Sequence, residues 1–157
     1  HPVAHSFPTR RSSDLAEKTT HIHPEIRNVL KLELDDDIYV RGNRDSLVTA
    51  TVELLKNAGD AVQDVDNPAV RVKTKTSDEK ISVSISDNGP GLQDLNESAA
   101  VLPFTTNKLT GLGLGLAYVQ RIIALHQGKV DFSSNAKGTT IKLSFPAPVK
   151  QTVESAQ

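Results

Sequence analysis

The chain has no cysteine, methionine or tryptophan, and only 2 tyrosines and 4 phenylalanines. Without cysteine there is no disulfide framework and no thiolate metal site, a usage that suits a reducing compartment. Without methionine there is no start residue, so the 157 residues read as a fragment of a longer protein. No apolar run reaches the roughly 18 residues that a membrane span needs, and no secretory leader pattern is present. With 18 basic against 19 acidic residues, the chain lacks the basic excess that nucleic-acid binding uses, and that class is set aside. The expectation is a cytoplasmic domain with no nucleic-acid partner and no direct membrane contact, although its parent protein can be membrane-anchored.

What is present is concentrated in periodic segments. Residues 1–15 match nothing downstream, and Ser6 to Leu15 resembles a translated sequencing adapter; a natural polar linker is the plainer alternative. This stretch is expected to lack order, as is a polar tail at 149–157. Between them, 16–148 reads as one domain. Residues 26–34 alternate as a strand, Asp35 to Asp37 turn, and Ile38 to Val40 form a short second strand. Asn43 is placed as the N-cap of a helix running to about Val62, with Leu47, Val48, Leu54, Leu55, Ala58 and Val62 as its apolar stripe. Strands at 70–73 and 81–86 follow. A stretch without a sustained period, 92–110, lies between two glycine motifs and reads as a lid. A helix over 113–126, apolar on most sides and expected to be largely buried, stops at Gly128 as its C′ residue with His126 as a helix-end cation. Strands at 129–133 and 139–145 close the domain. The order β, β, α, β, β, lid, α, β, β predicts an α/β (α+β) two-layer sandwich: a mixed, mostly antiparallel sheet with helices on one face.

Three stretches carry chemistry. On the first helix, Glu53, Asn57 and Asp60 fall on one side at roughly 100° per residue, with Lys56 beside them. A solvent-facing stripe looks the same. The chemical alternative is a magnesium-nucleotide face, since Mg²⁺ takes one or two protein oxygens and keeps its waters, and Glu53 can take a proton from an attacking group. Gly59 inside the helix costs roughly 1 kcal/mol against alanine, which close approach of some other group would explain, although the glycine can also simply be tolerated. Asp87, at the end of the cleanest strand, offers an acceptor-only carboxylate suited to the exocyclic amine of adenine. Gly89 and Gly91 let the chain turn beside it, as they would in any Asp-Asn-Gly turn. Gly111, Gly113 and Gly115, with leucines between, open the second helix, where backbone amides can cradle phosphates.

Taken in order, these stretches resemble the ATP-binding catalytic domain of bacterial sensor histidine kinases, of the superfamily shared with DNA gyrase, mismatch-repair proteins and heat-shock chaperone ATPases. The resemblance covers roughly residues 24–147. Glu53 to Ala61 is similar to the family's N box, Asp87 to Gly91 to its first G box, and Pro103 to Thr106 with Lys108 to its F box. Gly111 to Ala117 is similar to the second G box, and Gly138-Thr139-Thr140 to the terminal glycine-threonine element. It implies ATP and Mg²⁺ as cofactors. Asn57 would ligate Mg²⁺, with Glu53 as second helper or proton acceptor and Asp60 beside the phosphates. Asp87, Gly89 and Gly91 would form the base pocket, and Thr139 or Thr140 would complete it. Phe104 and Thr106 would belong to the lid, and Lys108 would reach the phosphates. Gly111, Leu112, Gly113, Leu114, Gly115 and Leu116 would let the lid close over the triphosphate.

Two positions depart from the pattern: Leu112 stands where many members carry a hydroxyl, and Asp60 where some carry a basic residue. The resemblance implies transfer of the γ-phosphate to a histidine on a separate dimerisation domain, and onward transfer to the receiver domain of a response regulator. His23 is rejected as that acceptor, because it runs straight into a strand. The alternatives are an ATPase or anti-sigma-type Ser/Thr kinase of the same superfamily, or a non-catalytic nucleotide-sensing module.

Overall fold

The computed structural model describes residues 4–5, 26–35, 38–91 and 113–147. Their order is β1 (Ala4–His5), β2 (Leu30–Glu33), β3 (Val40–Arg41), α1 (Arg44–Ala61), β4 (Val70–Thr76), β5 (Lys80–Asp87), α2 (Gly113–Leu125), β6 (Lys129–Asn135) and β7 (Gly138–Pro146). The expected lid, 92–110, and the tail 149–157 lie outside the described residues.

α1 starts where its cap dictates. Asn43 is extended (φ −83°, ψ 115°), and its Oδ1 accepts the Ser46 N–H at 2.9 Å, which satisfies one of the free amides of the first turn. Asp45 adds a negative charge in that turn, at the positive end of the helix dipole. Leu47, Ala50, Leu54, Leu55 and Ala58 are buried against the sheet, while Val48, expected in the stripe, is only half-buried. α2 ends in two bonds, Gln127 N–H to the Ala124 carbonyl at 3.0 Å and Gly128 N–H to the Ile123 carbonyl at 2.8 Å. The C′ residue is therefore Gln127, with φ 59°, and not Gly128. Gly128 is required for closeness instead: a Cβ there would sit 2.7 Å from Ile123 Cγ2 and 2.8 Å from the Ser144 carbonyl oxygen. α2 is also less enclosed than its composition predicts. Leu116, Val119 and Ile123 are buried, but Tyr118 and Leu125 face outward.

The main sheet has the order β2-β4-β5-β7-β6. β4–β5, β5–β7 and β6–β7 pair antiparallel. β2 instead runs parallel to β4, Leu30 opposite Val70 and Glu33 opposite Lys73. The first two strands do not pair with each other, contrary to what their short separation suggests. β3 pairs antiparallel with β1, inside the segment expected to lack order. A parallel partner needs a crossover, and α1 supplies it.

Val70, Val72, Ile81, Val83, Ile85, Ile141, Leu143 and Phe145 meet α1 and α2 in one core. The alternate residues Arg71, Lys73, Lys75 and Lys142 are exposed on the opposite face. The result is the expected two-layer sandwich with helices on one side, and it places the end of β5 beside the end of α1.

The helices are pinned at their other end by His126. Its Nε2 accepts the Asn43 N–H at 2.9 Å, and its Nδ1 lies 2.6 Å from the Ile122 carbonyl oxygen. His126 is thus a crosspiece between α1 and α2.

Candidate functional site

Asp87 is the last residue of β5, and its side chain shares the helix-covered face with Ile81, Val83 and Ile85. Its Oδ1 accepts the Gly89 N–H at 2.9 Å, and the carboxylate also takes the Thr139 N–H. Burial pushes its carboxyl above the ordinary carboxylate range, and these two backbone bonds oppose that rise without cancelling it. The group is therefore a desolvated acceptor held by two amides.

The turn after it is built from close approaches. A Cβ on Gly89 would lie 2.6 Å from the Ala61 carbonyl oxygen and 3.0 Å from Asp87 Oδ1, so glycine lets this turn rest on the last turn of α1. Gly91 is left-handed (φ 72°) and packs on Asn135; Gly138 (φ 141°) packs on the backbone of Asp87. The β6–β7 turn that presents Gly138 is closed by Lys137 N–H to Asn135 Oδ1 at 2.8 Å.

The register separates the two threonines. Thr139 lies opposite Asp87 on the site face, and its Oγ1 is 2.9 Å from Ser134 Oγ. Thr140 lies opposite Ser86 on the other face, where the two hydroxyls are 3.0 Å apart. Thr140 is thereby removed from the cluster, because neighbours on a strand point to opposite faces.

One turn before Ala61, Asn57 is 9 % exposed, and its Nδ2 has no hydrogen-bond partner. An unpaired buried polar group costs about 1–3 kcal/mol. Glu53 beside it is half-buried, and Lys56 and Asp60 are exposed. The stripe is therefore graded in burial, with its most buried member a carboxamide. Such a group fits an external phosphate through Nδ2, or a hard cation through Oδ1 if the amide is turned about its last bond. Among the described residues no three His, Cys, Asp or Glu side chains are grouped to hold a metal. A cation here would thus draw further ligands from phosphate and water, as Mg²⁺ commonly does.

Gly59, read as a place where something comes close or as simply tolerated, takes such a close approach from within the chain. A Cβ there would lie 2.7 Å from Ile26 Cγ1, and Ile26 is 1 % exposed. The glycine is a notch for the segment that leads into β2. Leu116 is likewise a core side chain, 8 % exposed, rather than a ligand contact. Gly113, Leu114 and Gly115 form the first turn of α2. Phe104, Thr106, Lys108, Gly111 and Leu112 lie outside the described residues. What sequence reasoning missed is Asn88, which makes three bonds to the 67–69 segment. Its pairing with residues 19 to 21 positions away has no signature in a local motif.

A family profile described as histidine kinase-, DNA gyrase B- and HSP90-like ATPase matches residues 42–149. The C4-dicarboxylate transport sensor protein DctB of Rhizobium meliloti is 32% identical over 75% of this chain and 19% of its own length. The sensory histidine kinase/phosphatase NtrB of Rhizobium leguminosarum bv. phaseoli is 35% identical over 74% of this chain and 34% of its own. The chain thus spans between 19% and 34% of these two relatives. Among solved structures, the catalytic domain of histidine kinase ThkA superposes with a TM-score of 0.71 at 23% identity, covering 92% of this chain and 95% of that one. At that identity the likeness is one of fold.

Proposed function

Because the chain belongs to the histidine kinase-, DNA gyrase B- and HSP90-like ATPase family, we propose that it is the Mg-ATP-binding catalytic domain of a sensor histidine kinase. The observation that carries this reading is the Asp87 carboxylate, desolvated at a strand end and aimed by the Gly89 and Thr139 amides. An acceptor of that kind takes the exocyclic amine of adenine and opposes the carbonyl of guanine. Thr139 stands beside it on the same face.

The phosphates would run from there toward α1. Asn57 and Glu53 would hold Mg²⁺, which when bound supplies charge neutralisation for the β- and γ-phosphates. Asp60 lies at the open end of the same stripe. The first amides of α2, at Gly113, Leu114 and Gly115, suit the remaining phosphate oxygens. Positioning and charge complementarity do most of the work in phosphoryl transfer. The γ-phosphorus–oxygen bond would break toward ADP as a phosphorus–nitrogen bond forms on an imidazole of a dimerisation domain, with Glu53 taking the imidazole proton where it is not a Mg²⁺ ligand. The receiver domain of a response regulator would accept the phosphoryl group next. The cytoplasm is the compartment in which this chemistry has its ATP.

Calorimetry of the full chain with Mg-ATP and Mg-GTP tests the reading. Binding of ATP and not GTP, lost in Asp87→Asn, supports an adenine pocket. No ATP binding by folded protein overturns it.

A further inference from the structure

Asn88 follows Asp87, and its backbone N–H and both polar atoms of its side chain are bonded to one segment. Its N–H donates to the Ala69 carbonyl at 3.2 Å, its Oδ1 accepts the Ala69 N–H at 2.8 Å, and its Nδ2 donates to the Asn67 carbonyl at 2.7 Å. An asparagine in an ordinary Asp-Asn-Gly turn bonds its own backbone about two residues on. Here the partners are 19 and 21 residues away, in the connection between α1 and β4. The last rung of the β4–β5 ladder is Val70 opposite Asp87. Asn88 carries that pairing one residue further, with a side chain doing what a backbone would do next.

The residue is exposed, so packing does not hold it; the three bonds do. They act just where Asp87 ends its strand and Gly89 rests on Ala61. We infer that Asn88 is a positioning residue for purine selection: it locks the Asp87 turn to the 67–69 segment and thereby fixes where the carboxylate sits relative to the Asn57 helix. The side chain accepts at Oδ1 and donates at Nδ2, and the asparagine carboxamide carries these two functions on separate atoms. The inference rests on the proposed ATP site.

The test measures ATP and GTP affinity for the full chain, wild type against Asn88→Ala, together with thermal unfolding without nucleotide. Loosening a carboxylate that must meet a specific amine should weaken ATP by about tenfold and leave GTP unchanged, so the ATP-to-GTP preference contracts by about tenfold. A purely structural residue would lower the unfolding temperature and leave that preference intact in the folded protein. Asn88→Ser serves if the alanine variant does not fold. An unchanged preference in a folded variant overturns the inference while the ATP site stands. A wild type that does not prefer ATP overturns both.

Discussion

The two halves of the site are finished to different degrees. At the end of β5, Asp87 takes two amides, Asn88 spends three bonds on its neighbour segment, and Gly89 fits against Ala61. Four residues before Ala61, Asn57 is more deeply enclosed than Asp87, but its Nδ2 has no partner. One half is preorganised by the fold, and the other bears a stability cost that a ligand can relieve. On the proposed reading, base recognition falls to the braced strand end and the phosphate side to the helix whose carboxamide Nδ2 is unpaired. The contrast follows from chemistry: a hydrogen-bond reader gains from rigidity, whereas an amide satisfied inside the protein is withdrawn from the ligand.

Four experiments break or sharpen that contrast. Asp87→Asn should have the largest effect. Exchanging an acceptor-only group for one that presents a donor should cost about 2–3 kcal/mol of ATP affinity, roughly a hundredfold, measured by calorimetry. Asn57→Ala should weaken Mg-ATP by about thirtyfold, or 2 kcal/mol, while adenosine binds unchanged. Since its Nδ2 has no partner to lose, unfolding of the ligand-free variant by denaturant should show no loss of stability, or a small gain. A fall comparable to a core mutation would show that Asn57 is structural, and the contrast would collapse.

Gly89→Ala should cost about 1–2 kcal/mol of folding stability, because the added carbon meets a backbone oxygen that cannot rotate away. A denaturant midpoint equal to wild type would show that the Asp87 turn is not held as described.

The smallest effect is a pH dependence. Burial holds the folded-state Asp87 carboxyl above its unfolded value, so the folded protein binds that proton more tightly than the unfolded chain. Its contribution to stability is then full below the unfolded pKa and is lost as pH rises through the folded value. Asp87→Asn should be slightly more stable than wild type at neutral pH without nucleotide, with the gap closing in acid. On the proposed reading ATP binding needs the ionised carboxylate and should weaken as pH falls through its raised folded-state value. Identical pH profiles for wild type and variant would place the titration elsewhere.

Much of this was legible beforehand because it is local. The cap at Asn43, the alternation of 81–86 and the Asp87 to Gly91 turn depend on a few adjacent residues, and the structure has them as expected. What was not legible depends on distant partners. β2 chooses β4 and not its neighbour, which no property of 26–34 announces. The face of Thr140 is set by register, in which a shift of one residue exchanges the two threonines. Gly59 signals a close approach, but that the approaching group is Ile26 depends on the fold. The left-handed Gln127 stands where propensity alone assigns glycine.

Ile26 also gives the molecule a mechanical property. The chain enters the described core at this side chain, which is seated in the Gly59 notch, two residues from Asn57. β2 follows it as a four-residue edge strand with a single partner. Tension on the segment ahead of Ile26 therefore loads α1 beside its unpaired carboxamide before it reaches the central strands. Force arriving along the backbone would reach the Asn57 side of the proposed site before the Asp87 end of β5, which Asn88 and two sheet neighbours brace.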